Sequence, residues 1–278
     1  MKKINRRSFL AAAGLTAAAL ALTACGGSAS STASSTASSA ASSEAASTSA
    51  AAELTTVEAG KLTMATNATF PPYEMTTDSG EFEGIDIDTA KAIADKLGLE
   101  LQIDDMDFDA ALLSVQQGKA DIVMAGVTVT DERKAVMDFS DSYATGIQSI
   151  IVPEGSDIAS PDDLAGKKIG TQRGTTGYIY CSDDFGDENV VAYDDGLTAV
   201  QALNNGQVDA VVIDNAPAQE FIAANPGLKI LDTSYAEEDY AIGMAKGSSL
   251  EDAVNAALKE LKADGTLQSI VDKYITAE

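Results

Sequence analysis

Arginine grips a carboxylate better than lysine does, because its planar fork of donors meets both oxygens at once. Beyond residue 24 the 278-residue chain has twelve lysines but only two arginines, Arg133 and Arg173. Each follows a strand-like run and sits where a helical pattern opens. Arg133 closes the stretch Ala125-Gly126-Val127-Thr128-Val129-Thr130-Asp131-Glu132-Arg133, in which Thr130 suits a helix N-cap. Arg173 lies in Thr171-Gln172-Arg173-Gly174-Thr175-Thr176-Gly177. Glycines and small hydroxyls there free the backbone N–H groups of a helix start, which favour an anion. The Gly-Lys-Ser/Thr of a phosphate loop is missing, so a carboxylate fits better than a triphosphate. The opposite charge is Asp214, at the end of the apolar run 210–213. An arginine and a helix start on one side, with a carboxylate on the other, suit a zwitterion, and the natural small zwitterion is an α-amino acid. Each feature also has a plain alternative. Arg133 could pair with Asp131 or Glu132 on the surface, the 171–177 loop could be a simple strand–helix turn, and Asp214 could be a helix cap.

Composition removes other chemistries. The chain has no histidine, which excludes serine–histidine and cysteine–histidine hydrolases and takes away the commonest metal ligand. Two cysteines cannot build a four-thiolate zinc site. The acidic string Asp104-Asp105-Met106-Asp107-Phe108-Asp109 is not a calcium loop, because counting from Asp105 puts Ala110 and Gln116 where glycine and glutamate are required. A net charge of −25 argues against nucleic acid. No cofactor and no metal are expected.

The elements that must position these residues alternate in type. Strands are expected at 61–66, 100–103, 121–127, 168–171, 190–193 and 210–213, and helices at 86–97, 109–117, 175–182, 197–205, 249–264 and 267–275. Such alternation implies α/β architecture with parallel-type sheets flanked by helices. One piece occurs twice. Leu113-Ser114-Val115-Gln116-Gln117-Gly118-Lys119-Ala120-Asp121 precedes the apolar Ile122-Val123-Met124, and Gln201-Ala202-Leu203-Asn204-Asn205-Gly206-Gln207-Val208-Asp209 precedes Ala210-Val211-Val212. Both copies read as helix, glycine stop, two residues, aspartate, buried strand. Two similar α/β lobes follow, with a ligand cleft between them at the carboxyl ends of the strands.

The N-terminus reads as an address. Lys2, Lys3, Arg6 and Arg7 precede an apolar stretch from Phe9 to Ala24, too short to favour a membrane span. Leu22-Thr23-Ala24-Cys25-Gly26 is similar to a bacterial lipobox, which makes 1–24 a lipoprotein signal peptide and Cys25 the lipidated residue. Arg6-Arg7-Ser8-Phe9-Leu10 also fits a twin-arginine signal, so both that route and the ordinary secretory one stay open. Removing residues 1–24 leaves a net charge of −29 and Cys181 as the second thiol, so no structural disulfide is expected. Of the 27 residues from 26 to 52, 11 are serine and 10 alanine, which cannot offset their ordering entropy by burial. Residues 25–52 are therefore expected to be a flexible tether.

In order along the chain, Thr66-Asn67-Ala68-Thr69-Phe70-Pro71-Pro72-Tyr73-Glu74, Gly84-Ile85-Asp86-Ile87-Asp88, Asp107-Phe108-Asp109, Ala125–Arg133, Asp138-Phe139-Ser140-Asp141-Ser142-Tyr143 and Gln172–Gly177 resemble the polar amino-acid-binding proteins of bacterial ABC importers, above all the glutamine and lysine/arginine/ornithine/histidine group. The resemblance covers about residues 60–275. It implies a type II periplasmic-binding-protein fold with two hinge strands. Lobe 1 would span 53–147, lobe 2 148–241, and 242–278 would return to lobe 1. It also implies that Arg133 clamps the ligand carboxylate with the N–H groups of Thr128 and Thr176. The ammonium would meet Asp214, the Gly126 carbonyl and the Thr128 hydroxyl. Phe70 and Phe108 would sandwich the side chain, while Asn67, Asp86 and Gln172 read its tip; Ala125 and Thr175 complete the expected binding set. Asn67 departs from the aspartate usual in close relatives, and Arg173 adds a cation beside the pocket. Both weigh against a cationic ligand, whereas Asp86 and Glu74 keep one open. The function implied is a monomeric, lipid-anchored receptor on the outer face of a membrane that delivers a polar amino acid to an ABC permease. The rivals are an enzyme on the same fold, similar to cyclohexadienyl dehydratase, and a ligand-binding module that signals.

Overall fold

The computed structural model describes residues 54–275. The expected signal peptide, Cys25 and the tether lie outside the described residues. Strand β1 (Lys61–Thr66) is followed by a small antiparallel meander, β2 (Thr69–Phe70), β3 (Glu74–Thr76) and β4 (Phe82–Glu83), and then by helix α1 (Ile85–Leu97). Next come β5 (Glu100–Asp105), α2 (Phe108–Gln116), β6 (Ile122–Val123), α3 (Asp131–Val136) and β7 (Met137–Phe139). The long β8 (Ala144–Pro153) leads into β9 (Ile169–Gln172), α4 (Thr176–Phe185), β10 (Val190–Tyr193), α5 (Gly196–Asn204), β11 (Ala210–Asp214), α6 (Asn215–Ala224), β12 (Leu228–Ile230) and β13 (Ala236–Tyr240). The chain ends with β14 (Gly243–Ala245), α7 (Glu251–Ala263) and α8 (Thr266–Tyr274).

These strands form two main sheets, ordered β5-β1-β6-β14-β7 and β10-β9-β11-β8-β12, with β13 paired to β8. Side-chain alternation explains why each sheet is covered on both faces. In β1, Leu62 and Met64 pack with α1, α7 and Leu267, whereas Ala65 packs with α2. In β11, Val211 and Ile213 pack with α5 and α6, whereas Ala210 and Val212 face the other way, with Cys181 of α4 in the same cluster.

The sheets are mixed rather than purely parallel. β1 pairs parallel with β5 and β6, and β9 pairs parallel with β10 and β11. β14 joins β6 and β7 antiparallel, and β8 joins β11, β12 and β13 antiparallel. The expected strand 121–127 is also shorter, with only Ile122–Val123 in the ladder. Met124, Ala125 and Val127 are buried all the same, so their hydrophobicity reflects packing around a turn at Gly126, where φ is +55°.

The repeated segment is a repeat in space as well. Gly118 and Gly206 both have φ of +66°, and the N–H groups of Lys119 and Gln207 donate back to Ser114 and Ala202, each at 2.9 Å. The aspartates then perform one task twice. Asp121 accepts the N–H of Thr63 at 2.8 Å, and Asp209 accepts the N–H of Lys168 at 2.8 Å. Each ties the end of its helical unit to the start of the neighbouring parallel strand.

The chain crosses between the sheets twice, between β7 and β8 and between β13 and β14. The crossing segments pair with each other, from Ala144 opposite Tyr240 to Gln148 opposite Ala236.

Candidate functional site

Between the two sheets lies a cavity of about 30 Å³. Eleven of the twelve residues expected to bind ligand line it: Asn67, Phe70, Phe108, Ala125, Gly126, Thr128, Arg133, Gln172, Thr175, Thr176 and Asp214. Loops at strand ends deliver them. Asn67 follows β1, Ala125–Thr128 follow β6, Gln172 ends β9, and Asp214 ends β11.

Arg133 is buried rather than on the surface, which excludes the plain alternative of a pair with its acidic neighbours. Thr130 accepts the Arg133 N–H at 3.1 Å, as an N-cap should, and starts α3 at the cavity. The guanidinium donates through Nη1 to the Thr128 carbonyl at 2.8 Å and through Nη2 to the Gly174 carbonyl at 3.2 Å. It also lies over the Phe108 ring, 5.4 Å from the centroid. Burial lowers its pKa, and the Glu238 carboxylate offsets part of that. Among the described residues its hydrogen bonds go to neutral carbonyls, so the buried guanidinium is prepared to accept an anion.

Asp214 sits at the opposite charge end. Its Oδ1 accepts the Ala216 N–H at 3.0 Å and so caps α6. Its Oδ2 accepts the Ile147 N–H at 2.8 Å and the Tyr240 hydroxyl at 3.0 Å. Burial raises its pKa to about 6 against these three donors. The cap reading and the cavity reading are therefore both true of one residue. Thr175 likewise caps α4 by accepting the Tyr178 N–H, which leaves Thr176 at the first helical position, facing the cavity.

Asp86 is the exception. It is fully buried, but it does not line the cavity. Its Oδ2 accepts the Gly126 N–H at 3.0 Å and the Tyr143 hydroxyl at 2.8 Å, so it supports the wall from behind. Glycine at position 84 puts it there. A Cβ on Gly84 would stand 2.2 Å from the Tyr73 carbonyl oxygen, and φ is +133°. This close approach lets the Asp86 N–H reach that carbonyl at 2.8 Å and sets Asp86 beside Glu74. Glu74 takes the expected place of Asp86 in the wall.

Arg173 also differs from expectation. It points away from the cavity, more than half exposed, 3.5 Å from Asp194. The charge that weighed against a cationic ligand is thus spent at the surface. Asn67 spans the cleft instead: its Oδ1 accepts Gln172 Nε2 at 2.8 Å, and its Nδ2 donates to the Met106 carbonyl at 3.0 Å. Thr128 and Thr176 meet across the same gap, Oγ1 to Oγ1, at 3.4 Å.

Sequence reasoning missed Gln148 and Tyr240 in the wall, and Glu238 beside it. Glu238 Oε2 accepts Gln148 Nε2 at 3.0 Å, Thr128 Oγ1 at 3.1 Å and Thr176 Oγ1 at 2.9 Å. All three residues belong to the crossing strands. The available signal was the alternation in 236–240, where Glu238 and Tyr240 are buried between exposed acids.

Residues 62–277 match the model of the bacterial extracellular solute-binding proteins, family 3. The chain belongs to that family. Family membership places this solute-binding protein outside the cytoplasm. It is similar to a probable histidine-binding protein of Neisseria gonorrhoeae, with 32% identity over 99% of this chain and 98% of that one. It is also similar to the L-cystine-binding protein TcyJ of Escherichia coli, with 32% identity over 80% and 85% of the two chains. Among solved structures, an ancestral arginine-binding protein bound to glutamine is 43% identical over 78% of this chain and 99% of that one, with a TM-score of 0.75. The solute-binding protein therefore has the type II periplasmic-binding-protein fold.

Proposed function

We propose that this solute-binding protein captures a polar L-α-amino acid and delivers it to an ABC permease, without chemistry on the ligand. The observation that carries the reading is one cavity holding a buried Arg133 with uncommitted donors and a buried Asp214, the two charges that complement a zwitterion. Arg133 takes the carboxylate with the N–H groups of Thr128 and Thr176, while Asp214, the Gly126 carbonyl and the Thr128 hydroxyl take the ammonium. Phe70 and Phe108 flank the side chain, and Asn67 and Gln172 face its far end. The relatives named above are a probable histidine-binding protein, a cystine-binding protein and an arginine-binding protein with glutamine bound, and these polar amino acids support the same class here. The lobes, 53–147 with 242–278 and 148–241, close on ligand about the paired crossing strands, because both supply site residues. Cys25 carries the lipid anchor, 26–52 is the tether, and the protein acts as a monomer.

The test is a dye-based thermal-shift panel of the protein against the twenty amino acids, ornithine, citrulline and cystine, since the chain lacks tryptophan. A ligand at a hundred times its dissociation constant adds about 2.7 kcal/mol of stability. Strong stabilisation by one or a few polar amino acids is expected. No response to any of them refutes the reading, and turnover of prephenate or arogenate would replace it with the enzyme.

A further inference from the structure

Glu238 is a buried acid that neither the zwitterion nor a helix cap explains. It stands on β13, one of the two crossing strands, and is 7% exposed. Its Oε2 accepts from three separate elements: Gln148 Nε2 of β8 at 3.0 Å, Thr128 Oγ1 in the loop after β6 at 3.1 Å, and Thr176 Oγ1 at the start of α4 at 2.9 Å. Backbone fixes Thr128 to one end of β13, because the Val129 N–H donates to the Asp239 carbonyl at 3.0 Å and the Ala241 N–H to the Val127 carbonyl at 3.1 Å. On the other side Gln148 packs against α4, so closely that a Cβ on Gly177 would stand 3.0 Å from its Oε1. Glu238 thus sits where the crossing strands meet both walls of the cleft. A threonine hydroxyl has a single proton to donate. Both protons go to Glu238, so the 3.4 Å between the two Oγ1 atoms is set by their shared acceptor.

Hydrogen bonds from hydroxyls to a carboxylate are stronger than those between neutral groups. The pair made here exists only while the two walls meet. Gln148, on the paired strand, holds the carboxylate in place for them. We propose that Glu238 is the clasp of the cleft: it draws Thr128 and Thr176 together from opposite walls, favours the closed arrangement and leaves Thr128 Oγ1 free to accept from the ligand ammonium. This rests on the amino-acid reading above and goes beyond it, by naming a positioning residue that acts through two others. A ligand that binds the closed arrangement gains apparent affinity in proportion to the fraction already closed. Asn67 with Gln172, and Arg133 with the Gly174 carbonyl, also bridge the cleft, but from within its walls. Glu238 acts from the crossing strands. Its charge also favours the ionised Arg133, so a test must separate the charge from the acceptor oxygen.

Two measurements on three variants make that separation: small-angle X-ray scattering without added amino acid, and calorimetry with L-glutamine, L-arginine, L-histidine and L-cystine as probes. Glu238→Leu keeps the bulk and offers no acceptor. Thr176→Val removes the hydroxyl and keeps the backbone N–H. Glu238→Gln keeps an acceptor oxygen without the charge. The Leu and Val variants should each enlarge the radius of gyration and weaken a bound probe at least tenfold. The double variant Glu238→Leu/Thr176→Val should be no weaker than Glu238→Leu, because both changes cut the same bond. Glu238→Gln should recover most of the affinity that Glu238→Leu loses. Unchanged size and affinity in Glu238→Leu, additive losses in the double variant, or a Gln variant as weak as the Leu variant overturns the clasp and leaves the receptor reading standing. If no probe binds the wild-type protein, scattering still decides the clasp, while the thermal-shift panel decides the receptor reading. Should Glu238→Leu misfold, Thr176→Val carries the same test.

Discussion

Replacing Asp214 by asparagine should change how stability depends on pH. Asp214 is 2% exposed, and burial raises its pKa from 3.8 to about 6 in the folded protein. In the unfolded chain it titrates near 3.8, so between these values the folded state binds the extra proton. Stability contributed by this group is complete below pH 3.8 and is lost as pH rises through about 6. The full loss is about 3 kcal/mol, of which about 2 kcal/mol falls between pH 4.5 and 7. Asparagine does not titrate. Other acids contribute to the raw pH profile, but they are common to both proteins and cancel in the difference. Urea unfolding followed by far-UV circular dichroism across this range gives that difference. The variant should gain about 2 kcal/mol on the wild-type protein from pH 4.5 to 7. Its offset at low pH reflects the rearranged bonds to Ala216, Ile147 and Tyr240. A difference that stays flat with pH refutes the buried-charge account of Asp214. The same variant should bind the amino acid at least tenfold more weakly, because the ammonium loses its charged partner.

Two further outcomes test the cleft. Arg133→Ala should lower ligand affinity by at least a hundredfold, about 3 kcal/mol, because the carboxylate is left buried without its partner; unchanged affinity in calorimetry removes Arg133 from the site. Asn67→Ala deletes the buried bridge to Gln172. The loss of one neutral hydrogen bond, about 1 kcal/mol, should weaken ligand about fivefold if the bridge holds the lobes together in the bound state. An unaltered Kd shows that ligand binding does not use it.

The acidic character of the surface follows from composition, yet composition did not predict where the few buried charges would collect. Of the buried acids, Asp214 is marked by its place after an apolar run and Asp86 and Glu74 by the resemblance, whereas only packing singles out Glu238. Arg133 and Arg173 look alike in sequence, each opening a helix after a strand. One is buried over Phe108, and the other pairs with Asp194 in solvent.

What the chain specifies locally, the sequence determined by itself. β1 and β10 occupy the expected residues, and α1, α2 and α5 lie within a residue of expectation, because apolar periodicity and glycine stops act over a few positions. The repeated glycine and aspartate were visible for the same reason. Tertiary structure decided the antiparallel strands, since β8 finds its partners 60 to 96 residues away and carries no turn signal that announces them. It also decided that Asp86 stands behind the wall and Glu74 in it. Those two carboxylates meet because Gly84 lets a helix start against the Tyr73 carbonyl. That close approach is a property of packed backbone, which residue type and spacing do not encode.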